Sequence, residues 1–112
     1  MVVFRARMTT IYHSLTAVAA IMDRHPGLAG AVAEQIRDVL TDAGAQRILG
    51  REGKQVRNRC VHYSIHDTSL ILQPRLPMFG LVEAVYPGMT WGDMNRDVLT
   101  TTEALAGALS KW

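Results

Sequence analysis

Hydrophobic residues recur every three or four positions along the first part of the chain. Over residues 3–24 they follow alternating steps of four and three, which is the period of one face of an α-helix. This stripe consists of Phe4, Met8, Ile11, Leu15, Val18 and Met22. Pro26-Gly27 follows the stripe, and a proline disfavours helical backbone at the residue before it. We therefore predict a first helix over residues 3–24 that packs against other helices along this stripe.

The helical period returns after this stop. A second helix is predicted over residues 28–43, with residues 42–44 as an interruption and a further turn of helix at residues 48–49. Gly50 and Gly53 are expected to bracket a flexible connection, because glycine weakens a helix and tolerates many backbone conformations. The chain then enters a segment that is rich in arginine and histidine.

This segment continues the helical period over residues 56–65 and predicts a third helix. Two prolines in residues 70–77 favour an extended connection over the surface. A short helix is expected over residues 78–85, and a last helix should begin after Thr90, with Asp93 in the capping-box position. The apolar seam of the last helix is formed by Trp91, Met94, Val98, Leu105, Leu109 and Trp112.

These patterns together predict an all-α fold. No segment alternates polar and apolar residues with the strand period of two for long enough to form a sheet. We expect one domain over residues 1–112, a small helical bundle of four main helices plus a short fifth. A single cysteine excludes an intrachain disulfide and favours a reducing compartment. No apolar run approaches the roughly 20 residues of a membrane span, so a cytoplasmic location without membrane contact is expected.

Positive charge is concentrated in one part of the chain. The formal net charge is only +2, which argues against a general binder of polyanions. Residues 47–75 carry a local charge of +4, with Glu52 and Asp67 as the acidic residues. The basic residues of this stretch are Arg47, Arg51, Lys54, Arg57, Arg59 and Arg75. This distribution suits a local surface that faces phosphate groups, although charge runs of this kind more commonly form a solvated face.

The candidate chemistry lies in the third helix. Asn58, His62 and His66 recur at intervals of four and share one helical face, and Arg57 is near enough for its long side chain to reach His62. An imidazole titrates near neutrality and can transfer protons, and a guanidinium offers a fixed charge with a planar fork for phosphate. Cys60 falls on the apolar stripe of this helix and is expected in the core.

The run Arg57-Asn58-x-x-x-His62, followed by Tyr63, resembles the signature of the HEPN superfamily (higher eukaryotes and prokaryotes nucleotide-binding). The resemblance covers residues 56–63 firmly and residues 76–112 loosely. It implies a small helical bundle, often a homodimer, with metal-independent ribonuclease activity and no cofactor.

In the site that the resemblance implies, Arg57 stabilises the phosphate charge, His62 is the general acid or base, and Asn58 orients the imidazole or binds phosphate. One histidine does not easily serve as both acid and base, so the resemblance implies a composite site from two protomers. The partners would be RNA and a neutralising antitoxin or regulatory protein. Lys54, Arg59, Tyr63 and His66 are then expected to contact the substrate.

The residues leave several alternatives open. Arg59 and His66 have a spacing that also fits the motif, although Cys60 then replaces the polar residue after the arginine. His62 and His66 have the spacing of a zinc pair, but a third ligand and a glutamate between them are missing, so no metal site is expected. Arg57 and Asn58 could instead bond helix-end carbonyl groups. The chain would then be a noncatalytic nucleotide-binding or protein-interaction module, or a structural dimerisation module.

Overall fold

A computed structural model describes residues 2–62, 81–86 and 88–111 of the chain. Within these residues all regular structure is α-helical, which confirms the predicted all-α class. The helices are α1 (Val2–Arg24), α2 (Ala31–Thr41), α3 (Ala43–Leu49), α4 (Arg51–His62), α5 (Leu81–Val85) and α6 (Trp91–Leu109). The described residues contain six helices because the predicted second helix is divided in two.

The hydrophobic stripe of α1 forms one side of the core. All six residues of the predicted stripe are buried, and the helix ends at Arg24, just ahead of Pro26-Gly27 as predicted. Burial of a side chain of this size contributes about 1.5–3 kcal/mol relative to exposure, so the stripe is a major source of stability. Helix α1 packs against α6. The Phe4 ring of the stripe meets the Trp91 ring of α6 edge to face, at a centroid distance of 5.6 Å.

The break between α2 and α3 lies at Asp42, within the predicted interruption. The backbone of Asp42 is extended (φ −63°, ψ 145°), and its carboxylate accepts a hydrogen bond from the Gly44 amide at 3.0 Å. An aspartate in this position satisfies one of the free amide groups at the start of a new helix. The start of α2 is three residues later than predicted, because Gly30 adopts a φ of 109° that helices do not contain.

The predicted flexible connection between Gly50 and Gly53 is wrong. Gly50 alone forms the corner between α3 and α4, and Gly53 already lies inside α4. Gly53 is buried because the last turn of α3 passes directly over it. A Cβ atom at this position would lie 1.9 Å from the carbonyl oxygen of Ile48 and 2.5 Å from that of Arg47. The glycine therefore permits a close backbone contact rather than mobility.

The residues of and after α5 form hydrogen bonds with α3 and with the start of α6. Tyr86 donates a hydrogen bond to the carbonyl oxygen of Arg47 at 2.5 Å, and burial raises the pKa of the Tyr86 hydroxyl well above its usual value. Glu83 accepts a hydrogen bond from the Trp91 amide at 2.8 Å. The predicted capping box is confirmed, since Thr90 and Asp93 exchange hydrogen bonds. These bonds to Thr90 lower the pKa of Asp93.

The apolar seam of α6 differs from the prediction at its end. Met94, Val98 and Leu105 are buried as predicted, but Leu109 is 39% exposed and Ala108 is buried instead. Thr101 is also buried within the seam. Positions 108 and 109 lie on opposite sides of the face shared by positions 94, 98, 101 and 105, about equally far from its centre, so the helical period alone does not decide which of them is buried. Trp112 and residues 70–80 lie outside the described residues.

The packing of the helices leaves α4 near the edge of the described bundle. The helix α6 packs against α1, α2, α3 and α5, whereas α4 packs against α1, α3 and α5. Its contact with α1 is the most extensive of these. One side of α4 is thereby held against the bundle, and its opposite side is available to solvent.

Candidate nucleic-acid interface

The helix α4 has a buried edge and a polar face. Val56 is fully buried, and Gly53 lies one turn earlier on nearly the same edge. Arg51 and Lys54 are exposed, and Asn58 is half-buried. Val56, which the sequence places on the apolar side of this helix, is buried as expected, and the other residues of the predicted anchoring stripe and titratable face beyond residue 58 lie outside the described side chains.

Arg57 lies at the boundary between these two sides, against α1. Its guanidinium carbon lies over the ring of Tyr12, 4.8 Å from the ring centroid. Both side chains are half-buried. The face of an aromatic ring attracts a cation that lies within about 6 Å of its centroid, and the attraction grows when water is excluded. The contact therefore holds the guanidinium at the seam between α1 and α4.

The Nε atom of Arg57 is buried and has no hydrogen-bond partner among the described residues. None of the described carboxylates forms an ion pair with this side chain. A buried donor without a partner costs free energy, about 1–3 kcal/mol for a neutral group and more for a charged one. Arg57 thus has no described carboxylate to compensate its charge, and its Nε donor is buried without a partner among the described residues.

Arg47 shows the opposite arrangement. Its Nε and Nη2 atoms donate to the two carboxylate oxygens of Asp97 at 2.7 and 2.9 Å, a two-bond ion pair that links α3 to α6. The hydrogen bond to Asp97 raises the pKa of Arg47. Arg47 therefore adds no uncompensated charge to the basic stretch of residues 47–75, because Asp97 neutralises it within the fold.

The exposed face of α4 extends the positive charge beyond Arg57. Lys54 and Asn58 are one turn apart and share this face, and Arg51 lies one turn before Lys54. The helix as a whole carries four basic residues and one acidic residue, Glu52, for a net charge of +3. Such a ridge attracts phosphate groups over the range of the screened Coulomb interaction.

The adjacent face of α1 adds aromatic rings to this surface. The rings of Tyr12 and His13 meet edge to face at a centroid distance of 5.7 Å, and His13 is exposed. One aromatic ring thus separates an exposed imidazole from the Arg57 guanidinium. We call the surface of Tyr12, His13, Lys54, Arg57 and Asn58 the α1/α4 surface. Basic groups combined with aromatic rings are typical of proteins that bind single-stranded nucleic acid.

The predicted site residues fall into two groups. The structure brings Arg57, Asn58 and Lys54 onto the α1/α4 surface. His62 and Arg59 belong to α4, but their side chains lie outside the described part of the structure. Tyr63 and His66 lie outside the described residues altogether. The approach of the Arg57 side chain to His62 remains a prediction from the sequence.

Sequence reasoning missed Tyr12 and His13 as parts of this surface. Tyr12 follows the buried Ile11 at the edge of the α1 stripe, and His13 falls outside that stripe. The available signal was an aromatic residue at the boundary of an apolar face with a histidine beside it. That signal becomes informative only when α4 is known to pack along the same side of α1.

A groove lies between α1 and α6. This groove has a volume of about 320 Å³ and is mostly apolar, with Thr10, Ser14, Thr102, Ala106 and Leu109 among its lining residues. Residues two positions apart on a helix point about 160° away from each other, so Thr10 and Ser14 lie on the side of α1 opposite to Tyr12. Lys54, Arg57 and Asn58, the predicted site residues whose side chains the structure describes, do not line the groove.

Two further properties limit the kinds of site that the described residues form. Their histidine, cysteine, aspartate and glutamate side chains include no group of three close enough to hold a metal ion. None of their helices is long and apolar enough to cross a membrane.

The fold and the surface together define an all-α helical bundle with a basic, aromatic seam between two of its helices. Comparisons with protein-family models, with curated proteins and with solved structures find no match to this chain. The arguments for function therefore depend on the residues of the α1/α4 surface and on the sequence motif in α4.

Proposed function

We propose that this chain is a metal-independent endoribonuclease of HEPN type that binds single-stranded RNA on the α1/α4 surface. The observation that carries the proposal is the half-buried Arg57 guanidinium, which lies on the ring of Tyr12 without a carboxylate partner among the described residues. Lys54 and Asn58 on the same face of α4 support it, and so does the motif Arg57-Asn58-x-x-x-His62.

The reaction requires two proton transfers and one fixed positive charge. The 2′-hydroxyl group of the RNA loses its proton to a base and attacks the adjacent phosphorus atom. The bond from phosphorus to the 5′-oxygen then breaks, and an acid protonates the leaving oxygen. In the proposal Arg57 stabilises the extra negative charge of the pentacoordinate phosphorus, because interactions with charge that develops in the transition state accelerate the reaction.

His62 is proposed as one of the proton-transfer groups, since an imidazole titrates near the working pH of most enzymes. A second copy of the chain would supply the other histidine in a composite homodimer site. Asn58 would orient the imidazole or donate to a phosphate oxygen. We propose a cytoplasmic role in bacterial defence or as a toxin, with a separate antitoxin or regulatory protein as the neutralising partner.

The test is an assay of purified protein on a fluorescently labelled single-stranded RNA in the presence of EDTA. We expect cleavage to proceed at an undiminished rate, because neither proton transfer nor charge stabilisation in the proposal uses a metal ion. The products should carry a 2′,3′-cyclic phosphate and a 5′-hydroxyl group, which mass spectrometry distinguishes from a 3′-hydroxyl and a 5′-phosphate. Loss of activity with EDTA, or products with a 5′-phosphate, would contradict the proposed chemistry.

The half-buried position of Arg57 supports a second candidate. A guanidinium that packs on Tyr12 can serve as a structural contact, and the α1/α4 surface would then bind nucleic acid or a protein without cleaving RNA. In that case RNA binding would be measurable by fluorescence anisotropy, and no cleavage would occur over hours of incubation. The cleavage assay above separates the two functions directly.

A further inference from the structure

Tyr12 connects the two helices of the α1/α4 surface. It lies at the edge of the buried stripe of α1, next to Ile11, which is part of the core. Its backbone is therefore fixed by the packing of α1, and its ring extends to the seam with α4. The ring carries the Arg57 guanidinium on one face, 4.8 Å from its centroid.

An arginine that binds phosphate needs both its charge and a fixed orientation of its planar fork. A carboxylate can fix a guanidinium, as Asp97 fixes Arg47, but it also neutralises the charge and occupies the donors. The face of a phenol ring orients the guanidinium plane and leaves the charge uncompensated. Tyr12 orients the Arg57 guanidinium with its ring face. The Nε atom of Arg57 has no hydrogen-bond partner among the described residues, which is consistent with a charge that no carboxylate compensates.

We infer that Tyr12 is a positioning residue, which orients the Arg57 guanidinium for the phosphate group of a substrate. The assignment rests on the proposed function insofar as the substrate is RNA, but the orientation of Arg57 can be measured without RNA. Tyr12 is not proposed to touch the reacting atoms. Its effect passes through the side chain of Arg57.

Two substitutions separate the aromatic face from the other properties of the side chain. Tyr12→Phe keeps the ring and removes the hydroxyl group, whereas Tyr12→Leu keeps an apolar side chain and removes the ring. We expect the phenylalanine variant to hold the Arg57 guanidinium as the wild type does, because the ring face is retained. If the leucine variant does not fold, as judged by its thermal unfolding curve, Tyr12→Met replaces it as the variant without a ring.

The first measurement is the ¹⁵N relaxation of the arginine Nε–H groups in the free protein. The Nε–H of Arg57 is expected to be rigid in the wild type and in Tyr12→Phe, and mobile in Tyr12→Leu. Arg47 and Arg51 serve as internal controls, since Arg47 is held by Asp97 and should stay rigid, and the exposed Arg51 should stay mobile in every variant. An Arg57 signal that stays equally rigid without the ring overturns the inference.

The second measurement is the kinetics of RNA cleavage. Tyr12→Leu is expected to lower kcat about tenfold, which corresponds to the loss of one well-ordered cation–π contact, with KM changed by less than twofold. A residue that stacks on a base would show the opposite pattern, a raised KM with an unchanged kcat, and that pattern would overturn the inference. If the wild type cleaves no RNA but Arg57 becomes mobile in Tyr12→Leu, the positioning role stands and the proposed function fails.

Discussion

Replacement of Arg57 by alanine is expected to lower the rate of RNA cleavage by about 100- to 1000-fold, the usual effect of removing one donor that stabilises a charged transition state. The physical reason is that Arg57 provides a charge at the α1/α4 surface that no described carboxylate compensates. Its removal should affect kcat more than KM, because the interaction strengthens as charge develops at phosphorus. The measurement is single-turnover cleavage of a labelled single-stranded RNA at saturating protein.

Matched variants distinguish this effect from a loss of general positive charge or of stability. Arg51→Ala removes the same charge from an exposed position of the same helix and should change the rate by only a few-fold. Arg57→Lys keeps the charge but loses the planar fork, so its rate should fall between the alanine variant and the wild type. An Arg57→Ala protein that unfolds like the wild type and cleaves RNA at the wild-type rate would refute the assigned role.

Replacement of Gly53 by alanine is expected to lower the free energy of unfolding by about 3 kcal/mol or more, in the range of severe overpacking. The added Cβ atom would lie 1.9 Å from the Ile48 carbonyl oxygen, and this contact involves backbone rather than a flexible side chain. The corner between α3 and α4 would have to open. In thermal unfolding followed by circular dichroism, we expect the Tm to fall by about 10 °C.

Gly107 offers a matched control for this substitution. It lies within α6, is exposed, and a Cβ atom built on it meets no other atom within 4 Å. Alanine is a better helix former than glycine, so Gly107→Ala should raise the free energy of unfolding by about 0.5–1 kcal/mol. A Gly53→Ala protein as stable as the wild type would show that the close approach of α3 to α4 is wrong.

Local signals in the sequence were enough to predict several features of the fold. The α1 stripe, its end before Pro26, the interruption at Asp42 and the capping box at Thr90 all follow from residues within a few positions of one another. Helical period, proline geometry and side-chain capping act over that distance. The structure confirms each of these predictions where its residues are described.

Features that depend on contacts between helices could not be predicted in this way. Gly53 has the same local appearance in the sequence whether it lies in a loop or beneath the end of α3. Arg47 and Arg57 are both arginines in a basic stretch, and only packing assigns Asp97 to one and Tyr12 to the other. The motif in α4 identified Arg57 as a candidate from the sequence. The structure adds the contact with the Tyr12 ring of α1, which supports the Arg57 guanidinium.

The most direct measurement of the central claim is a map of the RNA contact surface by NMR. The probe is a short single-stranded RNA that is 2′-O-methylated throughout, which binds but cannot provide the attacking hydroxyl group. We expect the largest chemical-shift changes at Tyr12, His13, Lys54, Arg57 and Asn58, and none at Thr102 or Ala106 in the groove between α1 and α6. Changes centred on that groove, or a spectrum that does not respond to RNA, would contradict a nucleic-acid site on the α1/α4 surface.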